Sequence, residues 1–181
     1  MRLAKRGRPG RKRGERIAAV AIGLALLFAS QAGAEPLAKP SGGEIILSVA
    51  GAIANRNGDG QAFFDLALLE SLPQREIVTE TPWTKGRHRF TGVPLEALMA
   101  RVGAQGKTIT AEALNDYAVD LPLDDGKNHG ALVVYFFDGQ PMLPSDKGPL
   151  WILYPFSTDP KLRSETYYQR AVWNLFRMTV H

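Results

Sequence analysis

Cysteine is absent from all 181 residues of the chain. Its absence removes disulfides, thiolate nucleophiles, thiolate metal ligands and redox dithiols together. Histidine is scarce: His88, His129 and His181 are the three present, and no two lie close enough in sequence to form a zinc pair. There is no Gly-x-Ser-x-Gly elbow and no Gly-x-x-x-x-Gly-Lys-Ser/Thr phosphate loop, so the common hydrolase and nucleotide-binding templates are missing. A lone histidine such as His88, between Arg87 and Arg89, lacks the orienting partner of catalysis, and two neighbouring cations disfavour its protonation.

What is present begins with an export signal. Residues 1–16 carry eight Lys/Arg and one Glu, residues 17–28 are an apolar run, and Ala32-Gly33-Ala34 is the small-x-small pattern accepted by signal peptidase. The run is shorter than the roughly 20 apolar residues of a spanning helix, so the segment predicts cleavage after Ala34 rather than an anchor. Residues 1–34 hold eight of the 22 Lys+Arg and one of the 18 Asp+Glu, which leaves 14 basic against 17 acidic residues, a net charge of −3. The apparent basicity belongs to the signal, and no basic patch is left to neutralise nucleic-acid phosphates.

The 147 residues that remain suit one domain. Residues 35–43 read as a short leader and 44–181 as the globular part. Strands are predicted at 44–50, 76–81, 108–113, 117–121, 131–137, 150–154 and 176–181 from β-branched and apolar content bounded by turn residues. Residues 55–60 form an Asn-Gly turn rather than a calcium loop, because the twelve-residue ligand pattern and its closing Glu are missing. Phe63, Phe64, Leu66, Leu68, Leu69 and Leu72 are spaced for an amphipathic helix ending before Pro73, and Leu95, Leu98, Met99 and Val102 for a second. Residues 82–89 read as an irregular loop, 124–126 as a turn, and 167–175 as either helix or extended chain. Many short strands with two or three short helices and no long crossover helices predict an α+β fold, mixed and mostly β.

Three segments offer more than packing. In the first, Trp83 beside Arg87 combines a flat apolar wall with a bidentate anion donor, although a core-capping Trp with solvated cations reads equally well. In the second, Asn115 and Tyr117 lie between two strands, where an Asx turn is the simpler reading. In the third, Asp138 opens a glycine- and proline-rich stretch through Lys147 to Trp151, whose amides and ammonium suit an oxyanion or an ordinary long hairpin loop.

The order of Thr-Pro-Trp-Thr (81–84), Phe-Thr-Gly-Val-Pro-Leu (90–95), Ala-Leu-Asn-Asp-Tyr (113–117), Asp-Gly-Gln-Pro-Met (138–142) and Lys-Gly-Pro-Leu-Trp (147–151) resembles the oxidoreductase molybdopterin-binding domain of the sulfite oxidase superfamily. The resemblance runs over residues 45–180. It implies a mixed α+β fold and a molybdenum held by a pterin dithiolene and by one protein cysteine, on a loop matching residues 80–83 here. This chain has Glu80, Thr81, Pro82 and Trp83 there, and neither Thr nor Glu replaces a soft thiolate. Family members that carry the cofactor outward cross folded behind a twin-arginine signal, whereas Arg11-Lys12-Arg13 contains no adjacent Arg pair.

The resulting expectation is an exported, periplasmic binding module with a molybdopterin-oxidoreductase-like fold, not an enzyme and without bound cofactor. The alternative is an oxidoreductase that holds molybdopterin with no protein thiolate. The loops matching the family's cofactor face supply the candidate ligand residues Trp83, Arg87, Asn115, Tyr117, Asp138, Lys147 and Tyr154. No catalytic or metal-ligating residue is assigned. The expected partners are a small anion or an envelope protein, with no nucleic acid and no membrane span after cleavage.

Overall fold

The computed structural model describes residues 36–181. The predicted signal segment, residues 1–34, lies outside the described residues. Two five-stranded sheets dominate. The first has the order β2-β1-β10-β5-β6, built from β1 (Leu47–Gly51), β2 (Ala62–Phe64), β5 (Thr108–Ala113), β6 (Ala118–Pro122) and β10 (Leu175–Val180). The second has β3 (Arg75–Glu80), β4 (Arg87–Pro94), β7 (Leu132–Phe137) and β8 (Gln140–Pro141) in line, with β9 (Trp151–Leu153) also pairing β7. Pairing is antiparallel except between β1 and β10, which run parallel in the register Val49 to Met178. Among the described residues the helices are α1 (Leu66–Glu70), α2 (Leu95–Arg101), α3 (Asp125–His129) and α4 (Glu165–Arg170), and none is long and apolar enough to cross a membrane.

The expected mostly-β α+β architecture is the one observed, with four short α-helices where two or three were expected. Some local readings are corrected. Phe63 and Phe64 belong to β2, not to a helix. The helix begins only at Leu66, because the Asp65 carboxylate accepts from the Leu68 amide at 2.9 Å and fixes the start there. Residues 87–89 are strand rather than loop, since β4 starts at Arg87 and pairs residue for residue with β3. The turn at Asp124 is the start of α3, which ends in the left-handed conformation at Gly130 (φ 67°).

The core fills the space around β7 and β9, where Leu132, Val133, Val134, Trp151, Ile152 and Leu153 are all fully buried. Gly92 marks a bulge where β4 shifts register against β7, and a Cβ at Gly92 would strike the Val133 carbonyl. The leader is laid on the domain: Leu37 is buried, and Ser41 donates from its amide (2.7 Å) and hydroxyl (2.8 Å) to Asp65. The chain passes from one sheet to the other at residues 172–175. There Ile152 donates its amide to the Val172 carbonyl, Leu175 donates its amide to that of Leu150, and Asn174 takes φ 52° before β10 begins.

Candidate functional site

A cavity of about 450 Å³ opens where three connections meet: the β3–β4 loop, the β5–β6 turn, and α4 with the chain that follows it. The loop contributes Pro82 and Trp83, the turn Asn115 and Tyr117, α4 Glu165, Tyr168 and Gln169, and the crossing chain Trp173. A second cavity of about 460 Å³ lies between the leader and α1, away from all three.

The β3–β4 loop is fixed by its threonines. The Thr81 hydroxyl, nearly buried, accepts from the Trp83 amide at 3.2 Å and shares a hydrogen bond with the Thr84 hydroxyl at 2.8 Å. Its base is tied across the fold, since the Ser157 amide donates to the buried Thr79 hydroxyl and the Glu80 amide donates to the Ser157 hydroxyl. Trp83 is thereby held edge-on to four rings, those of Trp151, Phe156, Tyr168 and Trp173, with centroids 5.2 to 6.2 Å away. The β5–β6 turn is an Asx turn: Tyr117 donates its amide to Asn115 Oδ1 at 3.3 Å, and Asp116 takes φ 66°.

Helix α4 has no buried residue of its own. It is anchored by side chains instead. Arg170 reaches the buried Asp125 carboxylate at 3.1 Å, and Tyr167 meets the His129 ring at 3.1 Å. On the cavity side, Tyr117 donates its hydroxyl to the Gln169 carbonyl at 2.8 Å, and Gln169 donates its amide to Glu165 at 3.0 Å. Burial, and after it the nearby Glu165 carboxylate, push the Tyr117 phenol above its ordinary value. Glu165 is the one charged side chain on the cavity wall.

Of the seven residues singled out from sequence, the structure brings Trp83, Asn115 and Tyr117 together around this cavity. The other four lie elsewhere. Arg87 is exposed at the start of β4, its guanidinium 3.4 Å from the Val78 carbonyl. Asp138, at the β7–β8 turn, accepts from the Arg89 amide at 2.9 Å and pairs with His88 at 2.8 Å. Lys147 pairs with Asp146 at 3.1 Å. Tyr154 is fully buried and donates to Asp125 at 2.7 Å. The expectation that Arg87 and Arg89 disfavour a charged His88 is corrected: the Asp138 hydrogen bond raises its pKa above 6.5, outweighing the loss of hydration. Glu165, Tyr168, Gln169 and Trp173 were not foreseen. The signal available was two adjacent tyrosines and a tryptophan in a segment with no apolar periodicity.

The fold is that of a known domain class. The oxidoreductase molybdopterin binding domain matches residues 66–158, just over half of the chain, and the chain belongs to that family. Among solved structures it is similar to the sulfane dehydrogenase SoxCD from Paracoccus pantotrophus, at 18% identity and a TM-score of 0.56, over 75% of this chain and 37% of that one. At that identity the likeness is one of fold, and this chain matches little more than a third of the larger protein. No curated protein matches the chain.

The donor set does not fit the family's metal. The loop that the resemblance matches to the family's cysteine loop carries hard oxygen donors alone: Glu80 is exposed, and the Thr81 hydroxyl is occupied in holding the Trp83 amide and the Thr84 hydroxyl. The cavity wall has no thiolate, no imidazole and no Lys or Arg to meet a pterin phosphate. Among the described residues no group of three or more His, Asp or Glu side chains is placed to hold a metal ion.

Proposed function

We propose that the chain is an exported, periplasmic binding domain that keeps the molybdopterin-oxidoreductase fold and has given up molybdenum chemistry. The observation that carries this reading is the wall of the cavity, where Trp83, Tyr168 and Trp173 stand beside a loop without a thiolate. Soft molybdenum chemistry needs a soft donor, and a hydroxyl committed to a turn is no substitute. The signal-like residues 1–34, without an adjacent Arg pair, support export in the unfolded state, which leaves a cytoplasmic cofactor behind. The small anion expected from sequence rested on Arg87 and Lys147, and neither lines the cavity.

The test is elemental analysis for molybdenum, with oxidised-pterin fluorescence, on protein purified from the envelope of its native host. Background levels of both are expected. Molybdenum in near-stoichiometric amount would overturn the reading and make this a cysteine-free molybdoenzyme. N-terminal sequencing of the same sample checks export, with Glu35 expected as the first residue.

A further inference from the structure

Resting on the reading of this cavity as a ligand site, we propose that it binds a small organic cation, with an alkylated ammonium group seated among Trp83, Tyr117, Tyr168 and Trp173 and with Glu165 as its counter-charge. The first support is the placing of the rings. Trp83 stands at 76° to Trp173 with centroids 5.2 Å apart, and at 80° to Tyr168 at 5.9 Å. Near-perpendicular walls form a corner rather than a stack. A corner presents ring surface from more than one side, the arrangement in which several quadrupoles act on one positive group.

The second support is charge. Glu165 is the one ionised group on the wall, and Gln169 holds it in place at 3.0 Å. The neighbouring cation on α4, Arg170, is turned to the buried Asp125 at 3.1 Å. An anion entering here would meet a carboxylate with no wall cation to offset it, whereas a cation meets a carboxylate and aromatic faces together. The third support is size and polarity: about 450 Å³ falls within the range of small-molecule sites, which are apolar with a few fixed polar groups. An alkylated ammonium matches that balance, because its methyl groups tolerate desolvation better than the three donors of a primary amine.

The experiment titrates tetramethylammonium and choline into the mature protein, following tryptophan fluorescence and calorimetric heat. The control is 3,3-dimethylbutan-1-ol, a neutral molecule of the same shape as choline. Both cations should saturate, and the neutral isostere should bind about tenfold more weakly or not at all. Glu165→Gln, at an exposed position, should weaken choline about tenfold without changing the response to the isostere. Tyr117→Leu, on a half-exposed ring, should weaken choline with the fold intact by circular dichroism. Equal binding of the isostere, no saturation by either cation, or an unchanged choline affinity in Glu165→Gln each overturns the proposal. Failure of the cations with molybdenum-free native protein removes this inference alone. Molybdenum in the native protein instead removes the reading it rests on.

Discussion

His88 and Asp138 form a small pH-sensitive clasp on the surface of β4 and β7. The Asp138 hydrogen bond raises the His88 pKa above 6.5, and the Arg89 amide, then His88, lower the Asp138 carboxyl below 3.8. The signs set a window. The histidine contribution is complete below pH 6.5 and disappears as pH rises through the raised folded value. The aspartate contribution is present above pH 3.8 and disappears as pH falls through the lowered one. Asp138→Asn should therefore bring the His88 titration, followed by NMR, back toward 6.5 and flatten the fall in stability above that pH. Asp125 is the buried counterpart, accepting from Tyr154 at 2.7 Å and Arg170 at 3.1 Å. Tyr154→Phe removes one donor and should cost about 1–3 kcal/mol in urea unfolding. Asp125→Ala leaves Arg170 without its partner and should cost about 3–5 kcal/mol, with faster hydrogen exchange across α4.

At the scale of elements, Asp65 does two jobs with one carboxylate: it caps α1 through the Leu68 amide and ties the leader through Ser41 and Gly43. Those hydrogen bonds, Leu68 first, hold its pKa below 3.8, so its contribution is present above that pH and is lost as pH falls through the folded value. Asp65→Ala should cost about 2 kcal/mol and unprotect the Ser41, Gly43 and Leu68 amides together in hydrogen exchange. Gly92→Ala should cost about 2 kcal/mol by pressing a methyl on the Val133 carbonyl at the bulge. Elements that bury one regular face were legible in the sequence. Strand β5 alternates half-buried and buried along its length, and α2 buries Leu95, Leu98 and Met99 at helical spacing. The start of β4 was not, because Arg87 and Arg89 are exposed and His88 is half-buried, so no apolar alternation marks the strand. The same reason hid half of the cavity. Trp83, Asn115 and Tyr117 lie on loops between readable strands, whereas α4 buries none of its residues and is placed by the bonds of its Arg170 and Tyr167 to Asp125 and His129, outside the helix.

At the scale of the described domain, the chain passes between the two sheets four times, and the cavity sits beside the last crossing, at 172–175. Its walls come from a loop of the second sheet, a turn of the first, and the crossing itself. Asn174 holds that crossing in the left-handed region at φ 52°, where asparagine is tolerated better than most residues, and donates its side-chain amide to the carbonyls of Pro144 and Gly148. Alanine at 174 loses those bonds and keeps the backbone demand, so Asn174→Ala should cost about 2–3 kcal/mol. Because β9, the crossing and β10 share continuous backbone pairing, that loss should spread to both sheets rather than split them. Urea unfolding followed by far-UV circular dichroism reports all strands, while tryptophan fluorescence reports Trp83, Trp151 and Trp173 near the crossing. The two curves should superimpose in the wild-type protein and remain superimposed in Asn174→Ala, at a lower midpoint and unchanged slope. Separation of the curves in the variant would mean that each sheet is stable without the other, and that the crossing positions the cavity without coupling the sheets.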